Sequence, residues 1–268
     1  MTDPDPADPG ARAAEASALA RLYDVDVSED PGDLDLYRAL ALRTGGPILE
    51  LAAGTGRLAV PLAAGGFAVT GVDRDPAMLA RARVAATRAG VRPEALTLIE
   101  ADIRGLDLPD AGTFRLAIIA LNSLLLLGRR DEQRGAIATL ARHLAPGGLA
   151  VVDVWQPDAD DLARFDGRLI LEYAGRPGAD GASVTKVAAA THDASSQVVD
   201  LTAIYDEGRP GEPPRRWTRT DRLRLVSADE LRGFAEDAGL AVELVAGGYD
   251  LEPTGAGGDR AILLAVRR

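Results

Sequence analysis

The chain has 268 residues, a formal net charge of −11, two histidines and no cysteine. Disulfides, thiolate metal sites and cysteine nucleophiles are therefore excluded, and a metal site built from several histidines is disfavoured. The acidic balance, without a long cluster of Lys or Arg, argues against a nucleic-acid substrate and against a membrane-surface role. The acidic, Pro-rich N-terminus lacks the apolar segment of a signal peptide, so a cytoplasmic location is predicted. Lys186 is the only lysine among 30 basic residues, a bias typical of a G+C-rich bacterial genome.

Residues 1–46 are predicted to precede the core as a tail followed by helical segments. Residues 1–12 are acidic and Pro-rich and favour a disordered tail, whereas residues 13–22 favour a helix. The Asp-rich stretch 23–36 favours a mobile loop. A short helix over 36–43 then ends at Gly45-Gly46-Pro47, which is a strong stop signal.

Residues 47–164 alternate between strands and helices, which is typical of a parallel sheet with helices on both faces. Predicted strands span 48–51, 68–72, 96–100, 116–120 and 149–154, and predicted helices span 57–64, 76–89 and 131–143, with a poorly defined helical piece over 101–108.

Residues 165–226 change character and contain β-rich runs separated by polar turns. The runs at 168–173, 183–192, 198–205 and 217–226 predict an antiparallel insert of three or four strands. Residues 227–268 complete the chain with a helix that Ser227 caps and that ends before Gly239, followed by strands at 241–246 and 261–266.

The most informative segment is a strand that runs through Glu50 into Gly54-Thr55-Gly56 and then a helix. The two glycines remove side chains where the backbone must turn sharply and let a ligand approach it. The N-terminus of the following helix offers amide donors and a partial positive charge to that ligand. Alone, the pattern is common to many nucleotide-binding folds.

Two more acidic residues stand where strands end. Asp73 ends the second strand and would accept hydrogen bonds from both ribose hydroxyls of a nucleoside. Asp102 follows the third strand, where it would accept from an exocyclic adenine amine. Because the carboxyl ends of parallel strands share one edge of the sheet, these groups are predicted to converge on one ligand.

Five segments, in this order and spacing, resemble the class I S-adenosylmethionine-dependent methyltransferases, over roughly residues 23–268. They are Glu50-Leu51-Ala52-Ala53-Gly54-Thr55-Gly56, Gly71-Val72-Asp73 with Asp75-Pro76-Ala77-Met78-Leu79, Ala101-Asp102-Ile103, Ala120-Leu121-Asn122-Ser123 and Leu144-Ala145-Pro146-Gly147-Gly148. The resemblance implies an α/β fold: a Rossmann-like seven-stranded sheet whose last strand is antiparallel, helices on both faces, and an antiparallel β insert covering the acceptor pocket.

The resemblance also implies the ligands and the residues that hold them. The methyl donor would be S-adenosyl-L-methionine, released as S-adenosyl-L-homocysteine, and the N-terminal segment with Tyr23-Asp24 would fold over it. The cofactor-binding residues expected from the motifs are Tyr23, Glu50, Ala52, Gly54, Gly56, Arg57, Asp73, Arg74, Met78, Asp102, Ile103, Leu121 and Asn122. Aromatic residues expected to line the acceptor pocket are Trp155, Tyr173, Tyr205 and Trp217. No metal is expected.

The chain departs from the family where relatives often carry histidine, because Asn122-Ser123 is followed by Leu124 to Leu127. No general base is evident there, which leaves His192 and Asn122 as the catalytic candidates. Methyl transfer from a sulfonium is an in-line displacement that mainly requires alignment, and a base is needed only for a protonated acceptor. His143, at a helix C-terminus, is interpreted as structural.

The sequence thus predicts a small-molecule methyltransferase, with N- and O-methylation both open and secondary metabolism as one setting for it. A non-methylating S-adenosylmethionine-binding protein or cyclase of the same fold is one alternative. An NAD-dependent oxidoreductase is another, because Gly54-x-Gly56-x-x-Ala59 fits the relaxed dinucleotide pattern. Nucleic-acid methylation is disfavoured, since the chain lacks the usual Pro-Pro-aromatic segment after strand four. The acceptor and the oligomeric state stay undetermined.

Overall fold

The computed structural model describes residues 8–29, 31–178, 181–254 and 258–268. Helices span Pro9–Asp26 (α1), Leu34–Thr44 (α2), Ala59–Ala64 (α3), Pro76–Arg88 (α4), Arg130–His143 (α5), Ala159–Arg164 (α6) and Ala228–Asp237 (α7), with a 3₁₀ turn at Pro93–Ala95. Strands span Ile48–Leu51 (β1), Val69–Asp73 (β2), Leu96–Glu100 (β3), Phe114–Ile119 (β4), Leu144–Trp155 (β5), Ile170–Pro177 (β6), Ser183–Asp193 (β7), Val198–Gly208 (β8), Arg215–Arg224 (β9), Leu240–Ala246 (β10) and Arg260–Arg267 (β11).

Seven strands form the main sheet, in the order β10-β11-β5-β4-β1-β2-β3. Its strands pair in parallel from β5 to β3, whereas β11 is antiparallel to both β5 and β10. The four residues of β1 are all buried, because helices cover both faces of the sheet. One face packs against α5 and α7, and the other packs against α2 and α3. This is the fold predicted from the sequence.

Residues of β6 to β9 form a second, antiparallel sheet of four strands in chain order. One face of it packs on α1, where Leu22 and Val25 join Val184, Ala203 and Tyr205 in a buried cluster. Helix α1 thereby bridges the second sheet and the core, since it also approaches α4.

Three local expectations were wrong. Helix α1 starts at Pro9, after an N-cap from Asp8, and continues to Asp26, so residues 9–12 and 23–26 are helical rather than tail and loop; residues 1–7 lie outside the described residues. The acidic end of α1 stays helical because Asp24 and Asp26 pair with Arg81 and Lys186. Residues 101–108 form turns rather than a helix. Helix α6 forms where none was expected, and Asp158 and Asp161 provide its capping box.

Candidate functional site

The turn after β1 needs glycine for two reasons. Ala52, Gly54 and Gly56 have positive φ angles of 61°, 56° and 82°. A Cβ added at Gly56 would lie 2.8 Å from a Val60 methyl carbon and 3.1 Å from the Cβ of Ala82, so the helices pack directly on this backbone. At Gly54 a Cβ would meet nothing within 4 Å. Gly56 therefore serves packing, whereas Gly54 leaves backbone accessible to a ligand.

Asp73 ends β2 beside that turn, and two backbone amides fix its carboxylate. Its Oδ2 accepts from Gly54 N at 2.8 Å, and its Oδ1 accepts from Asp75 N at 2.9 Å. Burial raises the pKa of Asp73, and these two amide donors oppose the rise. Each oxygen keeps a lone pair for a further donor, so the carboxylate is oriented to accept from a diol.

Glu50 is a buried carboxyl with an unsatisfied atom. It is 4% exposed, and its Oε2 has no hydrogen-bond partner. Burial raises the pKa of Glu50 to about 8, although the nearby Arg57 guanidinium lowers it. Arg57 is itself committed to Asp33 through two hydrogen bonds of 2.6 Å. The free oxygen of Glu50 therefore suits a cationic donor.

Tyr23 joins this cluster from α1. Burial raises the pKa of Tyr23, and its hydroxyl interacts electrostatically with Arg57, Glu50 and Arg219. The last turn of α1 thus lies near the glycine turn, in a segment that was expected to be a loop.

A cavity of about 410 Å³ opens at this edge of the main sheet. The described residues that line it are Arg12, Glu15, Ala16, Leu19, Ala52, Asp73, Arg74, Asp75, Met78, Ala101, Asp102, Ile103, Ser123, Leu126, Leu127, Arg219 and Asp221. Among the predicted cofactor residues, Ala52, Asp73, Arg74, Met78, Asp102 and Ile103 are in the lining. Tyr23, Glu50, Gly54, Gly56, Arg57, Leu121 and Asn122 are not, although Gly54 adjoins it by donating its backbone N–H to Asp73.

Asp102 lies in the lining, but Arg104 occupies its carboxylate. Arg104 donates its backbone N at 2.8 Å and its Nη2 at 2.6 Å. The side-chain hydrogen bonds from Arg104 lower the pKa of Asp102. The contact expected with an adenine amine must therefore share an oxygen that already has a partner.

The turn at the carboxyl end of β4 has a strained backbone that buried side chains fix by hydrogen bonds. Leu121 and Asn122 have φ angles of 46° and 66°. The fully buried Asp153 accepts from Leu121 N at 3.2 Å and from Arg260 Nε at 2.6 Å. The side-chain oxygen of Asn122 accepts from Trp155 N at 2.6 Å and from Arg260 Nη2 at 3.1 Å. Asn122 therefore fixes the turn, and its neighbour Ser123 faces the cavity instead.

The aromatic residues predicted for the acceptor pocket lie elsewhere in the described structure. The hydroxyls of Tyr173 and Tyr205 both donate to Asp26 of α1, at 2.8 Å and 2.7 Å. Trp217 packs on the same cluster and donates Nε1 to Glu207 at 3.4 Å. These three residues attach α1 to the second sheet and are absent from the cavity lining. Trp155 is also absent from it and stacks edge-on against Phe165, with ring centroids 5.9 Å apart.

His192 does not reach the cavity either. It lies near the end of β7 opposite Val199, and its Nε2 is buried without a partner. His143 is fully buried, and its Nε2 accepts from Leu108 N at 3.1 Å, in agreement with a structural role.

Several lining residues were missed from the sequence. Arg219 and Asp221 of β9 form an ion pair of 2.7 Å and face the cavity, and Glu15 and Leu19 come from α1. Strict alternation along β9 could have indicated that Arg219 and Asp221 share a face. Nothing in the sequence indicated that this face meets the glycine turn.

This sheet order, the glycine turn and the carboxylates at the strand ends define a cofactor-binding α/β enzyme of the methyltransferase type. The Methyltransferase domain family Methyltransf_25 matches residues 48–148. Cypemycin N-terminal methyltransferase from Streptomyces sp is 28% identical over 231 residues, 84% of each chain. The dTDP-3-amino-3,4,6-trideoxy-alpha-D-glucopyranose N,N-dimethyltransferase of Streptomyces venezuelae is 27% identical over 172 residues, 64% of this chain and 66% of that one.

Among solved structures, the CcbJ methyltransferase of Streptomyces caelestis aligns with a TM-score of 0.73 and 25% identity, covering 90% of this chain and 98% of that chain. Residues 48–148 therefore form a methyltransferase domain, and the chain is an S-adenosylmethionine-dependent methyltransferase with S-adenosylmethionine as its methyl donor. The predictions of family, enzyme class and cofactor are thus confirmed. In the described part of the chain, no helix has the length and apolarity to cross a membrane.

Proposed function

We propose that the chain is an N-methyltransferase that acts on an amine of a small molecule. Three residues of the cavity lining and one buried carboxylate support its binding of S-adenosylmethionine. Asp73 would accept from the ribose hydroxyls, and Met78 and Ile103 would contact adenine. The unpaired Oε2 of Glu50 would face the cofactor's ammonium.

The side chains that line the cavity favour nitrogen over oxygen as the methyl acceptor. Its ionisable side chains are carboxylates and guanidiniums, and the described lining contains no histidine, lysine or tyrosine. A hydroxyl acceptor would need a base to remove its proton, whereas an amine has a nucleophilic free-base fraction near neutral pH. Nitrogen also gains positive charge as the C–N bond forms, which Asp221 and Glu15 would stabilise.

The names of two relatives support an amine acceptor. Cypemycin N-terminal methyltransferase and the dTDP-3-amino-sugar N,N-dimethyltransferase are both named for methylation at nitrogen. Their shared feature is the amine rather than the molecule that bears it.

A bacterial, cytoplasmic enzyme is supported by the bacterial relatives and by the absence of cysteine from the chain.

The protein's part in the reaction is alignment and exclusion of water. Bound S-adenosylmethionine supplies a sulfonium methyl group: a C–N bond forms, the S–C bond breaks, and S-adenosylhomocysteine leaves with the electron pair. Helix α1 covers the cavity, and the β4 edge at Ser123 and Leu127 forms its wall. The ammonium product then loses its proton to water, so no resident base is required.

The test compares matched acceptors. The purified chain is incubated with S-adenosylmethionine and pairs of nucleotide-linked sugars and short peptides that differ only in an amino or a hydroxyl group. We expect S-adenosylhomocysteine release and a product heavier by one methylene unit with the amine of at least one pair. Methylation of hydroxyl members alone would contradict nitrogen as the acceptor.

A further inference from the structure

One face of the second sheet is not packed against α1. Strand pairing places Lys186, Tyr205 and Trp217 in one row, and their side chains meet α1. The adjacent row contains Val187, Ile204 and Thr218. Because side chains alternate along each strand, this second row points away from α1. We call the surface around it the outer face.

The middle of the outer face is uncharged. It consists of Val187, Ala189, Thr202, Ile204 and Thr218. Val187 and Ile204 belong to none of the three hydrophobic clusters found among the described residues. At its rim, the edge strand exposes Leu171 by 60%, and Leu169 just before it by 64%. Exposed apolar side chains on an open sheet indicate an interaction surface.

Charges border this middle at both ends, and they balance. Asp206 pairs with Arg216 at 2.8 Å at one end, and Asp200 pairs with Arg222 at 3.8 Å at the other. The whole chain has a net charge of −11, so two copies repel each other over most of their surface. The outer face is a neutral region where that repulsion is weak, and it offers nothing to a strongly charged partner.

The area is sufficient for a dimer. The four strands contain 8 to 11 residues each. At about 3.3 Å per residue and about 4.8 Å between strands, the face measures roughly 30 Å by 19 Å. Two such faces in contact would bury on the order of 1,100 Å², at the lower end of specific interfaces.

We propose that the outer face binds the outer face of a second copy of this chain, giving a symmetric dimer with two sheets packed face to face. Aligned packing of twisted sheets is a common arrangement, and an isologous contact is satisfied by one self-complementary surface. The dimer also bears on the cofactor site. Thr218 and Thr220 lie on the outer face of β9, and Arg219 and Asp221 of the same strand line the cavity.

The first experiment measures mass in solution by light scattering and sedimentation over a range of concentrations. We expect the full chain at twice its mass of 28.0 kDa. Val187→Glu should shift the protein to the monomer, because two-fold symmetry buries two new charges. Val84→Glu is the matched control, since Val84 is 50% exposed on α4, and it should stay dimeric. A monomeric wild type, or a Val187→Glu variant as dimeric as wild type, would overturn the proposal.

The second experiment does not depend on a destabilising charge. The natural chain has no cysteine, so Thr202→Cys introduces a single thiol near the middle of the outer face. A short bismaleimide should cross-link this variant to a covalent dimer. Thr97→Cys, exposed on β3 of the main sheet, is the control and should remain uncross-linked. No cross-linking of the Thr202 variant, or equal cross-linking of both, would contradict the interface.

Discussion

At the residue scale, Asp73 both fixes the glycine turn and faces the cavity. Its oxygens accept from Gly54 N and Asp75 N, so an asparagine side chain at this position would have to present an amide donor to one of these two N–H groups. We expect Asp73→Asn to weaken S-adenosylmethionine binding by about a hundredfold, since hydrogen bonds to a charged group contribute about 1.5–3 kcal/mol each. Calorimetric titration measures the loss. A matched exposed variant, Asp107→Asn, should bind as wild type, and full affinity in Asp73→Asn would remove Asp73 from the site.

The raised pKa of Glu50 should make the free energy of unfolding of the cofactor-free protein depend on pH. Its pKa is about 8 in the folded chain, against an ordinary value of 4.5, so the folded state holds a proton that the unfolded state has released between those values. The stabilisation is complete below the lower pKa and is lost as pH rises through the upper one. Glu50→Gln, which cannot ionise, should therefore gain stability relative to wild type as the pH rises from about 5 to about 8.5. Urea unfolding at both pH values measures this, and an unchanged difference would contradict it.

Cofactor binding reverses the preference of Glu50. An ammonium beside Oε2 favours the ionised carboxylate, so binding near neutral pH should release a proton and strengthen as pH approaches 8. Titrations in buffers of different ionisation enthalpy count that proton. Glu50→Gln should bind more weakly and release none. Proton uptake on binding to wild type would show that the ammonium lies elsewhere.

At the element scale, α1 is attached to the second sheet by an apolar cluster, by an ion pair between Arg21 and Glu207, and by the carboxylate of Asp26. Asp26 accepts from Tyr173, Tyr205 and Lys186, and α1 also contributes Leu19 to the cavity wall. Asp26→Asn should loosen the helix and raise the cofactor dissociation rate about tenfold, because a hydrogen bond to a charged group contributes about 1.5–3 kcal/mol. Stopped-flow dissociation measures the rate. Asp35→Asn, at an exposed site on α2, is the control and should leave it unchanged.

The turn after β4 depends on a buried ion pair between strands. Asp153 is fully buried and Arg260 is 10% exposed at its side chain, and together they hold Leu121 and Asn122 in left-handed conformations. Asp153→Ala should cost about 3–5 kcal/mol, because it leaves a buried guanidinium unpaired. Adding Arg260→Ala should recover part of that loss. Strictly additive losses in the double-mutant cycle would show that the two side chains do not act as a pair.

At the scale of the whole molecule, the features that could be predicted from the sequence are those set by local sequence patterns and by the topology of the sheet. Gly54, Gly56 and Asp73 could be identified because parallel strands bring their carboxyl ends to one edge. Asp33 could not, since its partner Arg57 is distant in sequence. Arg219 could not either, because alternation along β9 pairs it with Asp221 but does not indicate that this face meets the cavity. Tyr173, Tyr205 and Trp217 were assigned to the acceptor by analogy, whereas helix α1 occupies the face on which they lie. Helix α1 itself was missed beyond residue 22 because its aspartates favour a loop when their basic partners are distant in sequence.

The cavity wall combines three parts of the chain: Leu19 of α1, Met78 of the core and Arg219 of the second sheet. S-Adenosylmethionine should therefore slow amide hydrogen exchange in all three parts at once. At a hundredfold excess over its Kd, mass action adds about 2.7 kcal/mol to the free energy of unfolding, which raises Tm by roughly 5–10 °C for a chain of this size. Asp73→Asn at the same cofactor concentration is the control: with a Kd raised about a hundredfold it should be only half-saturated, gain about 0.4 kcal/mol and show much weaker protection. A ligand that contacts all three parts should stabilise each of them against local opening. Protection confined to the strands of the main sheet would therefore mean that α1 and the second sheet do not contact the cofactor.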